Sequence, residues 1–339
     1  MILVAGAATA ALMATSAFAA EFDVRMQTHY APDTVSGKLA QSFIDDVKVM
    51  SGGRVEIEMF WSSSVVATVE GFSAAATGIL DGEMHGGSYQ TGKNPAFQFV
   101  SDPMGAYDNP WQMYSFLYNG GGDEAANELY QAFNMHLVGW RAAGHEAMVS
   151  GKPLAGPADL KGWKFRLPPG LEAEIFQELG ASPIVMDFTD IFTALETGVI
   201  DGADASSLAD NVGLGLYDIV NHTTFPGFHL MPMDHVTFNL DVWNGFPEDI
   251  QRIIEVATQK LALQTTLTFD IANLEAAAAL KAKGVVFYDW SPEDRRTFRE
   301  GAQRAWDGRA KKTPETAALI DSHRAFLRRL GRIDGTHLI

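Results

Sequence analysis

Residues 76–82 read Ala-Thr-Gly-Ile-Leu-Asp-Gly, and residues 196–202 read Glu-Thr-Gly-Val-Ile-Asp-Gly. Each copy follows a stretch with helical spacing: Phe72, Ala75 and Ala76 before the first, Ile191, Ala194 and Leu195 before the second. Glycine just after a helix adopts the left-handed backbone at little steric cost, so Gly78 and Gly198 read as helix ends. The apolar pairs Ile79-Leu80 and Val199-Ile200 then read as short buried strands, and Asp81-Gly82 and Asp201-Gly202 as turns after them. One unit written twice in a chain of 339 residues predicts two similarly built α/β lobes.

The flanking sequence agrees. Phe22 to Gln27 and Val55 to Trp61 alternate apolar and polar residues as half-buried strands do, and Lys38 to Met50 between them has helical spacing. Pro157 to Gly162 reads as a turn before a strand at 163–167, Pro168-Pro169-Gly170 breaks that strand before a helix at 171–179, and 236–240 reads as another strand. Pro247 to Lys283 is the longest helical pattern, opened by proline and two acids and ended by Gly284. At 1.5 Å per residue it spans roughly 54 Å, enough to cross both lobes. Beta-branched Thr265–Thr268 mark a point where it could break. Helices follow Ser291 and Pro314.

Composition limits the function. The chain is 47 % apolar and 20 % charged, with a net charge of −17, which disfavours nucleic acid as a partner because phosphate binding needs a basic face. It has no cysteine, so disulfides and thiolate chemistry are excluded. Residues 1–19 are uncharged, rich in Ala and Leu, and end Ala17-Phe18-Ala19, the pattern of a cleaved signal peptide, so the mature chain is expected outside the cytoplasm.

The run 158–166 (ADLKGWKFR), then 179–183 (LGASP), then 191–202 (IFTALETGVIDG) resembles the solute-binding proteins of TRAP transporters, the DctP type. The resemblance implies an α/β, two-lobed, type II-like periplasmic binding protein with a hinge and a long helix spanning both lobes. It implies lobe I from 20–144 and about 232–265, and lobe II from 145–231 and about 266–339. It also implies capture of a small organic carboxylate and its delivery to membrane permease subunits. A second copy of the chain is a further candidate partner. No enzyme activity is expected: there is no nucleophile elbow, no phosphate loop and no close His spacing for zinc. The alternatives are an exported hydrolase or a ligand sensor using the same cleft.

Arg166 ends its strand on the face opposite Phe165, and a guanidinium grips a carboxylate through two parallel hydrogen bonds. The resemblance places substrate-carboxylate binding there; the competing reading is an internal salt bridge with Asp204. Asp204 stands where the family often has Glu-Trp and, in its 2-oxo acid binders, a cation site. Here the acid is shorter and the tryptophan is missing, which weakens the case for a cation and leaves room for a bulkier ligand. No other cofactor is expected. His145 and Glu146 stand where relatives place a second polar residue. Tyr89 and Gln90 follow the first repeat and are expected to line the cleft, with the loop carrying Phe228, His229 and Asp234 returning to touch ligand or form the hinge. Aromatic Trp111, Tyr114 and Phe116 read as packing.

Overall fold

A computed structural model describes residues 20–334 and 337–338. The expected signal peptide, 1–19, lies outside them. Eleven strands form two mixed sheets: β1 Phe22–Thr28, β2 Val55–Phe60, β3 Gly82–Gly86, β4 Met135–Arg141, β5 Val149–Ser150, β6 Lys164–Leu167, β7 Ser182–Val185, β8 Gly202–Ala203, β9 His222–Thr224, β10 Asp234–Asn239 and β11 Val286–Tyr288. The first sheet runs β2-β1-β3-β10-β4, the second β11-β9-β5-β8-β6-β7. Residues 333–334 and 337–338 form a separate antiparallel pair.

The two sheets follow one plan. In each, one strand pairs in parallel with two neighbours: β1 with β2 and β3, β6 with β7 and β8. An antiparallel strand from elsewhere in the chain then completes the sheet, β10 against β3 and β5 against β8. The chain therefore passes between sheets at 142–148, at 225–233 and along the helix Glu248–Ala282.

The repeated stretch supplies the join within each sheet. Gly78 (φ 81°) and Gly198 (φ 72°) end the helices Gly71–Ala76 and Ile191–Glu196 in the left-handed region. Asp81 then grips the neighbouring strand from both sides: its N–H donates to the Arg25 carbonyl at 2.8 Å, and its carboxylate accepts the Arg25 N–H at 2.8 Å. Asp201 repeats this on Lys164, at 2.7 and 3.1 Å. This corrects the reading of 79–80 and 199–200 as strands followed by turns. The strands begin at Gly82 and Gly202, and Ile79 and Val199 are each 54 % exposed. Asp-Gly is turn chemistry in isolation, but here the aspartate is a clamp and the glycine is the place where no side chain fits. A Cβ at Gly82 would meet the Thr237 carbonyl at 2.5 Å, and one at Gly202 the Val149 carbonyl at 2.4 Å.

The helix Val35–Met50 packs its Phe43, Ile44 and Val47 under the first sheet, with Val24, Val55 and Ile57 and with Ile250 and Ile254 of the long helix. Ile191, Ala194, Leu195 and Ile200 pack under the second sheet. The long helix runs unbroken from Glu248 to Ala282. Its threonines bond within or across rather than break it: Thr265 Oγ1 donates to the Leu261 carbonyl at 2.7 Å, and Thr266 Oγ1 to the Ala142 carbonyl at 3.1 Å. Phe116 and Tyr114 are buried as expected, while Trp111 is half-exposed. No helix among the described residues is long and apolar enough to cross a membrane.

Candidate functional site

Trp163, just before strand β6, stacks on Phe165 at 4.3 Å in the core, and the strand turns Arg166 to its other face. The guanidinium is buried and fully directed. Nε donates to the Met186 carbonyl at 3.1 Å, Nη1 to the Asp204 carbonyl at 2.7 Å, and Nη2 to the Tyr89 hydroxyl at 3.0 Å. Arg166 makes no ion pair with a carboxylate among the described residues. The internal salt bridge to Asp204 is thus replaced by a bond to that residue's backbone. Tyr89, whose hydroxyl burial raises to about 12 despite the nearby guanidinium, comes from the first half of the molecule, so the Tyr89–Arg166 contact bridges the two sheets.

Arg166 and Tyr89 line a cavity of about 30 Å³ together with Asp102, Glu146 and Asp234. Asp204, one residue before the cavity-lining Ala205, gives its Oδ1 to His229 Nε2 at 2.9 Å. Burial works to raise the Asp204 carboxyl, but His229 beside it holds it below the usual range. Glu146 and Glu172 go the other way: burial first, then the Asp204 charge, push both well above the carboxylate range. Burial likewise raises Asp102 well above its ordinary value. Glu172, Asp204 and His229 present ligand atoms within 4.8 Å of one another, the set among the described residues that could hold a cation. Both Glu172 oxygens lack a hydrogen-bond partner there.

Three expected site residues are placed differently. Gln90 is fully buried and does not line the cavity. His145 donates from Nε2 to the Asp108 carbonyl at 3.1 Å, and burial lowers it to about 4, so it is a neutral ring engaged elsewhere. His229 faces Asp204, behind the cavity wall, and Phe228 packs on Trp290 at 4.5 Å.

Sequence reasoning missed Arg141, Tyr30, Asp102, Glu172 and Asp210. Arg141 is the last residue of β4 and Arg166 the last but one of β6, and an arginine at the end of a buried strand was the available signal. Its Nη2 pairs with Asp234 at 3.1 Å and its Nη1 donates to Ser36 Oγ at 3.1 Å. Tyr30 donates to the same Asp234 oxygen at 3.0 Å and stacks beneath the Arg141 guanidinium at 4.7 Å. Asp210 accepts the Ser36 N–H at 3.1 Å and the Ser36 hydroxyl at 2.5 Å, so an acid of the second half caps the first helix of the first half. A second such contact joins Asp187 to the Thr68 N–H at 2.8 Å and hydroxyl at 2.9 Å. Under β3, Glu83 binds His85 at 2.5 Å and His235 at 2.8 Å, and the two rings hold its carboxyl down at about 2 despite full burial.

Residues 26–313 match the family described as bacterial extracellular solute-binding protein, family 7, or DctP. The chain belongs to this family. Among DctP relatives, it is 28 % identical over 296 residues to a monocarboxylate 2-oxoacid-binding periplasmic protein of Nostoc sp., covering 86 % of this chain and 80 % of that one. It is 34 % identical to a TRAP periplasmic solute-binding protein of Rhodobacter sphaeroides solved in an apo open form, with a TM-score of 0.71 over 91 % of this chain and 98 % of that one. A Bordetella bronchiseptica TRAP solute-binding protein, a dimer with copurified calcium and picolinate, superposes with a TM-score of 0.86 at 24 % identity over 91 % and 93 %. The fold is that of these DctP proteins: two lobes, each built on one sheet. Family 7 proteins are transport components rather than enzymes, and they work outside the cytoplasm.

Proposed function

We propose that the chain captures an organic carboxylate between its two lobes and hands it to the membrane permease of a TRAP transporter. The observation that carries this is the buried Arg166: three protein acceptors fix its orientation, no carboxylate neutralises it directly, and it lines a cavity between the sheets. A preoriented guanidinium grips a carboxylate bidentately with little ordering cost on binding. Relatives named for 2-oxoacids, C4-dicarboxylates and sialic acid support the substrate class.

Lobe I is residues 20–144 with about 232–265, and lobe II residues 145–231 with about 266–339; the connections at 142–148 and 225–233 serve as hinge. Arg166 anchors the ligand carboxylate. Tyr89, Glu146 and Asp204 shape the rest of the site, and Gln90, His145 and His229 support it from behind. Capture needs no cofactor; Glu172, Asp204 and His229 are where a cation would sit. A second copy of the chain is a proposed partner, and the mature protein works in the periplasm.

The test is thermal unfolding of the mature protein across a panel of carboxylates and their amides. A ligand that binds only the folded form raises the midpoint by mass action. An acid that raises it while its amide does not supports carboxylate capture. Turnover of a bound acid would replace the reading with the hydrolase.

A further inference from the structure

The cleft holds more acid than base. Arg141 is neutralised by Asp234, and Asp210 shares Ser36 with it. That leaves Arg166 facing Asp102, Glu146, Glu172 and Asp204, all buried. His229 answers Asp204 alone, at 2.9 Å, and stands 4.0 Å from Glu172. Asp102 is 2 % exposed, lines the cavity, and its Oδ2 has no hydrogen-bond partner among the described residues. The cavity therefore presents the carboxyl groups of Asp102 and Glu146 opposite one guanidinium, and a simple anion on Arg166 would bring the Asp102 oxygen no donor.

We infer that the ligand is amphoteric: its carboxylate sits on Arg166 and Tyr89, and a protonated nitrogen in the same molecule sits against Asp102 and Glu146. This rests on the carboxylate-capture reading above and narrows it. The cavity wall suits such a molecule, since Pro168, Ala205 and Leu230 line the rest of it and would face a short carbon skeleton. An ammonium in the cavity gives the Asp102 oxygen the donor it lacks.

The experiment is calorimetric titration of the mature protein with two matched series, each run with added Ca²⁺ and with EDTA. The amphoteric series is alanine, β-alanine, 4-aminobutyrate and proline. The anionic series is lactate, pyruvate, butyrate and succinate. The expected result is binding within the amphoteric series at least tenfold tighter than any anion, unchanged by EDTA. That preference should collapse in Asp102→Asn and Glu146→Gln. Both variants replace an acid with its isosteric amide, so their ligand-free unfolding midpoints should stay close to the parent's. Anions binding as tightly as amphoteric acids would overturn the inference and leave carboxylate capture standing. Anions binding tightly only with Ca²⁺ would place the positive charge on a metal and overturn it as well. Binding by neither series would overturn both readings.

Discussion

The Arg166 guanidinium meets Asp204 through its backbone carbonyl, at 2.7 Å, while the Asp204 carboxylate turns to His229 at 2.9 Å. The two opposite charges lie one residue's width apart without forming a pair. The arginine thus keeps its fork for another molecule, and the aspartate keeps its charge through the histidine. Arg166→Lys should therefore fold and lose at least tenfold in affinity for any carboxylate that binds the parent, because a lysine cannot reproduce the fork. Tyr89→Phe removes one neutral acceptor of the guanidinium and should cost about 1 kcal/mol, several-fold in Kd. Unchanged titration curves for Arg166→Lys would move the carboxylate site elsewhere.

Asp210 and Asp187 each tie the two halves together through a main-chain N–H and a hydroxyl. Those bonds exist only while the halves are together, so they favour the closed form. Asp210→Asn and Asp187→Asn should each weaken ligand binding by roughly fivefold, about 1 kcal/mol of closure energy. The ligand-free radius of gyration in small-angle scattering should increase. If affinity and scattering both match the parent, the contacts do not hold the cleft shut.

The clamps at Asp81 and Asp201 serve stability rather than binding. Each accepts the N–H of the neighbouring strand, of Arg25 or of Lys164. Asp81→Ala and Asp201→Ala should each lower unfolding free energy by about 1–3 kcal/mol in urea, with ligand affinity within twofold of the parent. A large loss of affinity with unchanged stability would contradict this division.

His323 gives the pH dependence. It is buried against Phe116 at 3.8 Å, accepts from the Tyr107 hydroxyl at 2.9 Å, and donates to the Phe99 carbonyl at 2.6 Å. Burial lowers it to about 4. In the unfolded chain it takes its proton near the ordinary value of about 6.5, so the unfolded state binds the proton first as pH falls. Stability from this residue is complete above about 6.5 and declines down to about 4, by about 3 kcal/mol in all. Denaturation curves of the parent and His323→Phe, compared across that range, should differ by this arc. Parallel curves would show that the ring titrates normally.

The lobes were legible because their joints are written in glycine and aspartate. The repeat at 76–82 and 196–202 fixed two α/β units, and only the start of each strand was misjudged, since Asp-Gly carries turn chemistry when its partner strand is unknown. Arg166, singled out by its place on a strand of alternating faces and by the family resemblance, lines the cavity, and its grip on a carboxylate is the proposal made above. Arg141 escaped because β4 has no flanking repeat, although it too stands at the end of a buried strand. Asp102 precedes proline, just after the short helix Phe97–Ser101 and outside every motif; Glu172 sits in the acidic first turn of the helix Glu172–Glu178, where an acid is already explained by the helix dipole. Their common role depends on segments far apart in the chain folding onto one cavity, which no local pattern encodes.

The unbroken helix from Glu248 to Ala282 acts as a strut. Its first turns lie in the core under the first sheet, and its Ala277 and Leu280 pack with Leu208 and Val285 on the other side of the molecule. Neither half can melt without stripping partners from the same rod. The ligand-free protein should unfold in one transition, and opening is confined to a swing that leaves the rod seated at both ends.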